Sequence, residues 1–123
     1  MTLYNIICVA IGSGLGGVMR YLLSSLIKNH TSGAFPWATL VVNIVGCFVI
    51  GLIYALADRH KIVDQHLLLT LTVGLCGGFT TFSTFTNENI TLLQSGHHWL
   101  FAAYTAAGIT AGIIAIIAAR ALV

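Results

Sequence analysis

Residues 74–88 read GLCGGFTTFSTFTNE, and this stretch decides the fold. It lies within residues 67–95, a segment long and apolar enough to cross a bilayer. Yet Gly77-Gly78 and the run Thr80-Thr81-Phe82-Ser83-Thr84 are poor material for a continuous helix. In hydrocarbon only helices and closed barrels can face lipid, so backbone broken at depth must be covered by protein or line a watery path. As a helix, residues 67–78 would be about 18 Å long, which sets the break near the bilayer midplane. A broken helix at that depth marks an ion or substrate site. The plainer alternative is a glycine kink whose hydroxyls bond back into their own helix.

Composition fixes the solvent. The 123 residues are 58% hydrophobic and only 7% charged, with a mean hydropathy of +0.97. A soluble domain of this size could not cover so much apolar surface, so the surroundings must be lipid. The whole chain, residues 1–123, reads as a single transmembrane domain with no room for a soluble catalytic unit. The first basic residue is Arg20, so no cleavable leader is expected. A net charge of +2 gives no reason to invoke nucleic acid. Cys8, Cys47 and Cys76 fall on three different apolar segments and read as small buried side chains. The histidines lie near segment ends, where an interfacial role is simpler than a metal site.

Working outward from the broken segment, four spans are predicted, at residues 3–27, 37–57, 67–95 and 99–123, each of bilayer length. The connections are short, and Pro36 is suited to starting the second helix. An even number of crossings puts both termini and the second loop on one side, with Arg59, Lys61 and Arg120. The other side carries Lys28, joined by Arg20 if that side chain snorkels outward. So small a bias leaves orientation undecided and points to an antiparallel homodimer. On the second span Asn43, Gly46, Cys47, Ile50, Gly51 and Tyr54 form one stripe. Gly12 with Gly16, and Gly108 with Gly112, are small-residue pairs that let helices approach closely.

Polar groups at depth need partners. An unsatisfied Asn43 amide in hydrocarbon would cost several kcal/mol, so it must meet a neighbouring helix or a pathway. Arg20 and Glu88 are charges set back from the turns, and charged groups inside a membrane mark functional sites by default. Nothing supports enzymatic acid–base chemistry, because no second acid, nucleophile–base pair or metal cluster accompanies Glu88. If helix resumes after the break, Phe82 and Phe85 point within about 60° of each other, amid the hydroxyls of Ser83, Thr84 and Thr86. Ring edges are electropositive and can face a small anion that hydroxyl, amide and N–H donors complete. Carbonyls freed at a break can equally hold a cation. The residues alone give an ion site without fixing its sign.

The sequence resembles the small dual-topology fluoride channels, the Fluc or CrcB family. The likeness runs from end to end and is carried by Gly16-Gly17-Val18-Met19-Arg20-Tyr21, by residues 39–46 (TLVVNIVG), and most specifically by residues 74–85 (GLCGGFTTFSTF). It implies an all-α antiparallel homodimer in the bacterial inner (plasma) membrane, with two pores that export fluoride passively and lower its toxicity. By the same resemblance Asn43, Phe82, Ser83, Thr84, Phe85 and Tyr104 line the anion pathway. Arg20, Glu88 and Thr110 are candidates for the vestibule and permeation route. A structural sodium ion is expected at the dimer interface, held by backbone carbonyls of Gly77 and Thr80. One departure stands out: relatives commonly carry serine one and two turns after the tyrosine, where this chain has Gly108 and Gly112.

Two rivals make different demands. A proton-coupled small multidrug transporter would want an acid central in the first span, which contains neither Asp nor Glu. A non-conducting assembly subunit would pass no ion in vesicles, and Asn43→Ala would change only its stability.

Overall fold

The computed structural model describes residues 2–123, which are helical throughout apart from turns and short extended stretches. Helix α1 (Leu3–His30) is started by Thr2, whose Oγ1 accepts the Asn5 N–H at 3.2 Å and so satisfies a donor the helix cannot. Helix α2 (Trp37–Asp58) follows Pro36, which cannot donate and ends the preceding loop. Asp64 caps α3 (Gln65–Leu69) by accepting the His66 N–H at 2.9 Å. The backbone then widens into a π-helical stretch (Thr70–Cys76) and closes with a single turn, α4 (Gly77–Phe79). Thr80 and Thr81 are extended, and the chain becomes helical again in α5 (Phe82–Gln94). Gly96, at φ 80°, makes the turn into α6 (His98–Leu122).

Four stretches are long and apolar enough to cross a membrane: Leu3–His30, Trp37–Asp58, Gln65–Gln94 and His98–Leu122. They differ by a few residues from the expected 3–27, 37–57, 67–95 and 99–123. Polar end residues such as Asn29, His30 and Asp58 still have helical partners for their backbone, so the helices outrun their apolar cores. The glycine pair Gly77-Gly78, expected to interrupt the third span, is helical; the extended residues come two positions later. Packing explains the shift. A Cβ on Gly78 would lie 2.6 Å from the Ser13 carbonyl oxygen, so the residue serves close approach to α1.

Helix α2 lies along α6, while α1 covers the π-helical stretch and α4. Gly12 and Gly16 make the second contact. A Cβ there would sit 2.4 Å from the Thr70 oxygen and 2.2 Å from the Leu75 oxygen. The core is a cluster of Leu40, Phe85, Leu92 and Tyr104, with Phe35 and Phe101 packed around it. Outside, Ile11, Leu15, Val18 and Leu22 of α1 are all more than half exposed. Such a row is costly in water and at home in lipid. One end of the bundle carries the termini and the Arg120–Asp58 pair; the other carries residues 31–36 and 95–97.

Candidate functional site

The site is built around the two extended residues. Thr80 (φ −86°, ψ 160°) and Thr81 (φ −149°, ψ 121°) are extended; the Thr80 N–H still closes on the Cys76 carbonyl at 3.0 Å, but the backbone groups of Thr81 need other partners. Asn43 of α2 supplies them. Its Nδ2 donates to the Thr81 carbonyl at 3.0 Å, and its Oδ1 accepts the Thr81 N–H at 2.9 Å. One amide thus stands in for the neighbouring strand that an extended residue would otherwise require. The Thr81 hydroxyl accepts the Thr84 N–H at 3.2 Å and donates to the Thr84 Oγ1 at 3.0 Å, which starts α5. Thr80 turns its own hydroxyl back to the Cys76 carbonyl at 2.9 Å.

Because the Thr81 N–H goes to Asn43, it does not close the helical bond to the Gly77 carbonyl. The Thr84 N–H, likewise, goes to the Thr81 hydroxyl and not to the Thr80 carbonyl. Two backbone oxygens at the end of α4 are therefore left with unspent acceptor capacity. The intervening Gly78 carbonyl is met by the Nε–H of Arg20 at 3.1 Å. Arg20 therefore reaches inward from α1, placing a cation at the carbonyl end of the helical run.

Beside the break lies an open cavity of about 370 Å³, bordered by Asn43, Cys47, Gly77, Thr80, Phe85 and Gly108, with Phe82 at its edge. The two phenylalanines meet at 6.1 Å between ring centroids, tilted by 40°. They are not equivalent: Phe82 is 76% exposed and Phe85 only 8%. Phe85 packs on Tyr104 at 4.9 Å, and Phe35 meets Tyr104 edge-on at 5.5 Å. The fully buried Tyr104 donates its hydroxyl to Glu88 Oε1 at 2.9 Å. Glu88 in turn borders a second cavity of about 300 Å³ at the loop end, with Lys28, Thr31, Trp37 and Thr91. A row of aromatic rings thus lies between the second, more polar cavity and the cavity at the break.

The structure brings together Asn43, Gly77, Thr80, Phe82 and Phe85 at the first cavity, with Tyr104 and Glu88 leading to the second. Ser83 is exposed one residue beyond Phe82, and Thr84 is half-buried under Thr81. Arg20 lies at the break and borders neither cavity, and Thr110 is exposed and borders neither. The stripe on α2 divides: Asn43, Gly46, Cys47 and Ile50 face the first cavity, while Gly51 is buried against Ile116 and Ala119 of α6.

Sequence reasoning missed Asn89. It is buried, donates to the Phe85 carbonyl at 3.2 Å and accepts the Thr105 hydroxyl at 2.9 Å, tying α5 to α6 behind the rings. The available signal was a second amide one turn after Phe85, paired with a hydroxyl next to Tyr104.

Over residues 7–120 the chain matches the family described as CrcB-like protein, Camphor Resistance (CrcB). It is 44% identical over 112 residues to a protein of Phocaeicola vulgatus named fluoride-specific ion channel FluC, covering 91% of this chain and 92% of the relative. A protein of the same name from Flavobacterium psychrophilum is 43% identical over 111 residues, covering 90% of each. One from Geobacter sulfurreducens is 47% identical over 92 residues, covering 75% of this chain and 74% of the relative.

Proposed function

Because the chain belongs to the CrcB-like family, we propose that it is a fluoride channel of the plasma membrane, not an enzyme, and that it exports the anion passively. The observation that carries this reading is the pair Phe82 and Phe85 set beside extended backbone that Asn43 pins in place. Fluoride holds its water strongly, so a pore must offer replacement contacts without a full positive charge that would trap the ion. Ring edges from the phenylalanines, the free second N–H of Asn43 and the hydroxyls of Ser83 and Thr84 provide weak, successive contacts of that kind. Larger, less hydrated anions gain less from such donors and meet the rings as a constriction.

Tyr104 and Glu88 belong to the same route. The tyrosine hydroxyl has one proton to give and gives it to Glu88. An anion moving between the vestibule and the rings competes with that carboxylate for the same donor, so the hydrogen bond opens as the ion passes.

The assembly we propose is an antiparallel homodimer with two pores and the third span broken near the midplane. The exposed Phe82 and the open cavity suit a site completed by a second copy. A structural sodium ion fits the donor set, since the Gly77 and Thr80 carbonyls have lost their helical partners and hard cations take oxygen ligands. Those carbonyls from two copies would hold it, and the ion would supply fixed positive charge where the two breaks cross. In the chain itself, Asn43 keeps the Thr81 N–H away from the Gly77 oxygen, and Arg20 occupies the Gly78 oxygen between them.

The test is halide efflux from liposomes containing the purified protein, followed with fluoride and chloride electrodes. Wild type should release fluoride rapidly and chloride hardly at all, and Phe82→Ile and Asn43→Ala should each abolish the fluoride signal. A well-folded protein that releases no fluoride, or releases both halides alike, would defeat the reading.

A further inference from the structure

We propose that Gly108 is the positioning residue that seats Phe85 in the wall of the ion path, an inference that rests on the channel reading above. The geometry is specific. A Cβ on Gly108 would stand 2.6 Å from Phe85 Cε1, closer than real Cβ atoms are found, and a tight 3.1 Å from Cζ. The Phe85 ring therefore occupies the space that any side chain at position 108 would claim.

What happens on substitution follows from what can yield. The backbone of Phe85 is held, because Asn89 bonds its carbonyl and is itself fixed to Thr105 of α6. Tyr104, one turn before Gly108 on the same face of α6 and 4.9 Å from the ring, is fully buried and tied to Glu88. The open volume is the cavity that Phe85 and Gly108 both border, with Phe82 across it at 6.1 Å. A side chain at 108 thus turns the Phe85 ring into the cavity and toward Phe82, narrowing the ion path while leaving the helices where they are.

The neighbouring Gly112 makes the contrast. A Cβ there would meet only the Cys47 Sγ, at 3.3 Å, and a thiol can give by the few tenths of an ångström required. The two glycines that replace family serines are thus unlike. Position 108 is filled by an aromatic ring, so a serine there would displace Phe85 before it could offer a hydroxyl to the path. On the path-facing side of α6 the hydroxyl is that of Tyr104, and the Phe85 ring lies where the next one would be.

Two readouts test this on the full-length protein. In liposomes, Gly108→Ala should slow fluoride efflux by about tenfold, the scale of one misplaced rotamer, whereas Gly112→Ala should stay within about threefold. In detergent, with phenylalanine rings labelled with carbon-13, the Phe85 signal is identified by its loss in Phe85→Leu. That signal should move in Gly108→Ala, through its changed position over Tyr104, and stay put in Gly112→Ala. An unmoved Phe85 signal would overturn the seat, and a moved signal with unchanged efflux would overturn its role in the path. Wild-type vesicles that release no fluoride would overturn the channel reading and with it the pore role of Gly108. The spectra would still report the ring's position, so the two failures are told apart.

Discussion

At the scale of single residues, the side chains of Asn43 and Asn89 each make two hydrogen bonds and should matter very differently. Asn43 serves the N–H and the carbonyl of Thr81. Removing the amide leaves the Thr81 N–H without its partner, at a cost of about 1–3 kcal/mol when such a group is buried, and leaves the carbonyl to the first turn of α5 alone. Asn89 bonds a carbonyl that already accepts from its own helix and a hydroxyl that can turn back to its own chain. Its loss should cost only about 0.6 kcal/mol, the usual worth of such bonds between membrane helices. Thermal unfolding of the purified variants in detergent checks this: Asn43→Ala should fall well below Asn89→Ala, and equal losses would show that Thr81 finds another partner. The importance of Asn43 was legible in the sequence, because an amide in an apolar helix must bond something. What it bonds was not, since the sequence offered an ion path and a neighbouring helix as equal candidates. Asn89 went unread for a related reason: its cross-helix partner, Thr105, lies 16 residues away in a segment whose facing could not be set by counting.

At the scale of elements, the third span shows how packing overrides propensity. Glycines are weak helix formers, yet Gly77 and Gly78 are helical; α1 lies against Gly78, and Arg20 meets its carbonyl. Thr81 is extended because Asn43 bonds its N–H and carbonyl and its own hydroxyl caps α5, while the Thr80 N–H still closes on the Cys76 carbonyl. The π-helical stretch before them left no mark in composition, because it reflects one residue accommodated between fixed ends. Its widened backbone presents carbonyls to α1, and only glycine admits them. Gly16→Ala would bring a methyl within 2.2 Å of the Leu75 oxygen, a collision with backbone that no rotamer relieves. It should cost more than the roughly 1–3 kcal/mol of ordinary overpacking and yield little folded protein. Gly14→Ala, with nothing within 4 Å of its Cβ, should gain up to about 1 kcal/mol from helix propensity. Folded yield and unfolding temperature of the pair give the comparison; a well-folded Gly16→Ala protein would mean that α1 can slide away from the third span.

At the scale of the whole molecule, the proposed antiparallel assembly rests on the balance of charge between the two ends of the chain. Orientation follows the Lys and Arg residues near the membrane ends, and carboxylates count for little. Arg20 reaches the Gly78 carbonyl inside the bundle, so it leaves the count. The terminal end then holds Arg59, Lys61 and Arg120 against Lys28 at the other. Under the proposed dual topology, a difference this small lets both orientations be made and can be pushed either way. Lys28→Gln makes it three against none. Arg59→Gln with Lys61→Gln and Asn29→Lys makes it one against two, favouring the opposite orientation. Under the antiparallel assembly, each biased chain expressed alone should export fluoride from cells poorly, because like-oriented copies cannot pair. Expressed together they should restore export toward the wild-type rate, with one chain supplying each orientation. Full export by either biased chain alone would sink the antiparallel assembly and return Phe82, bare in the single chain, to some other cover.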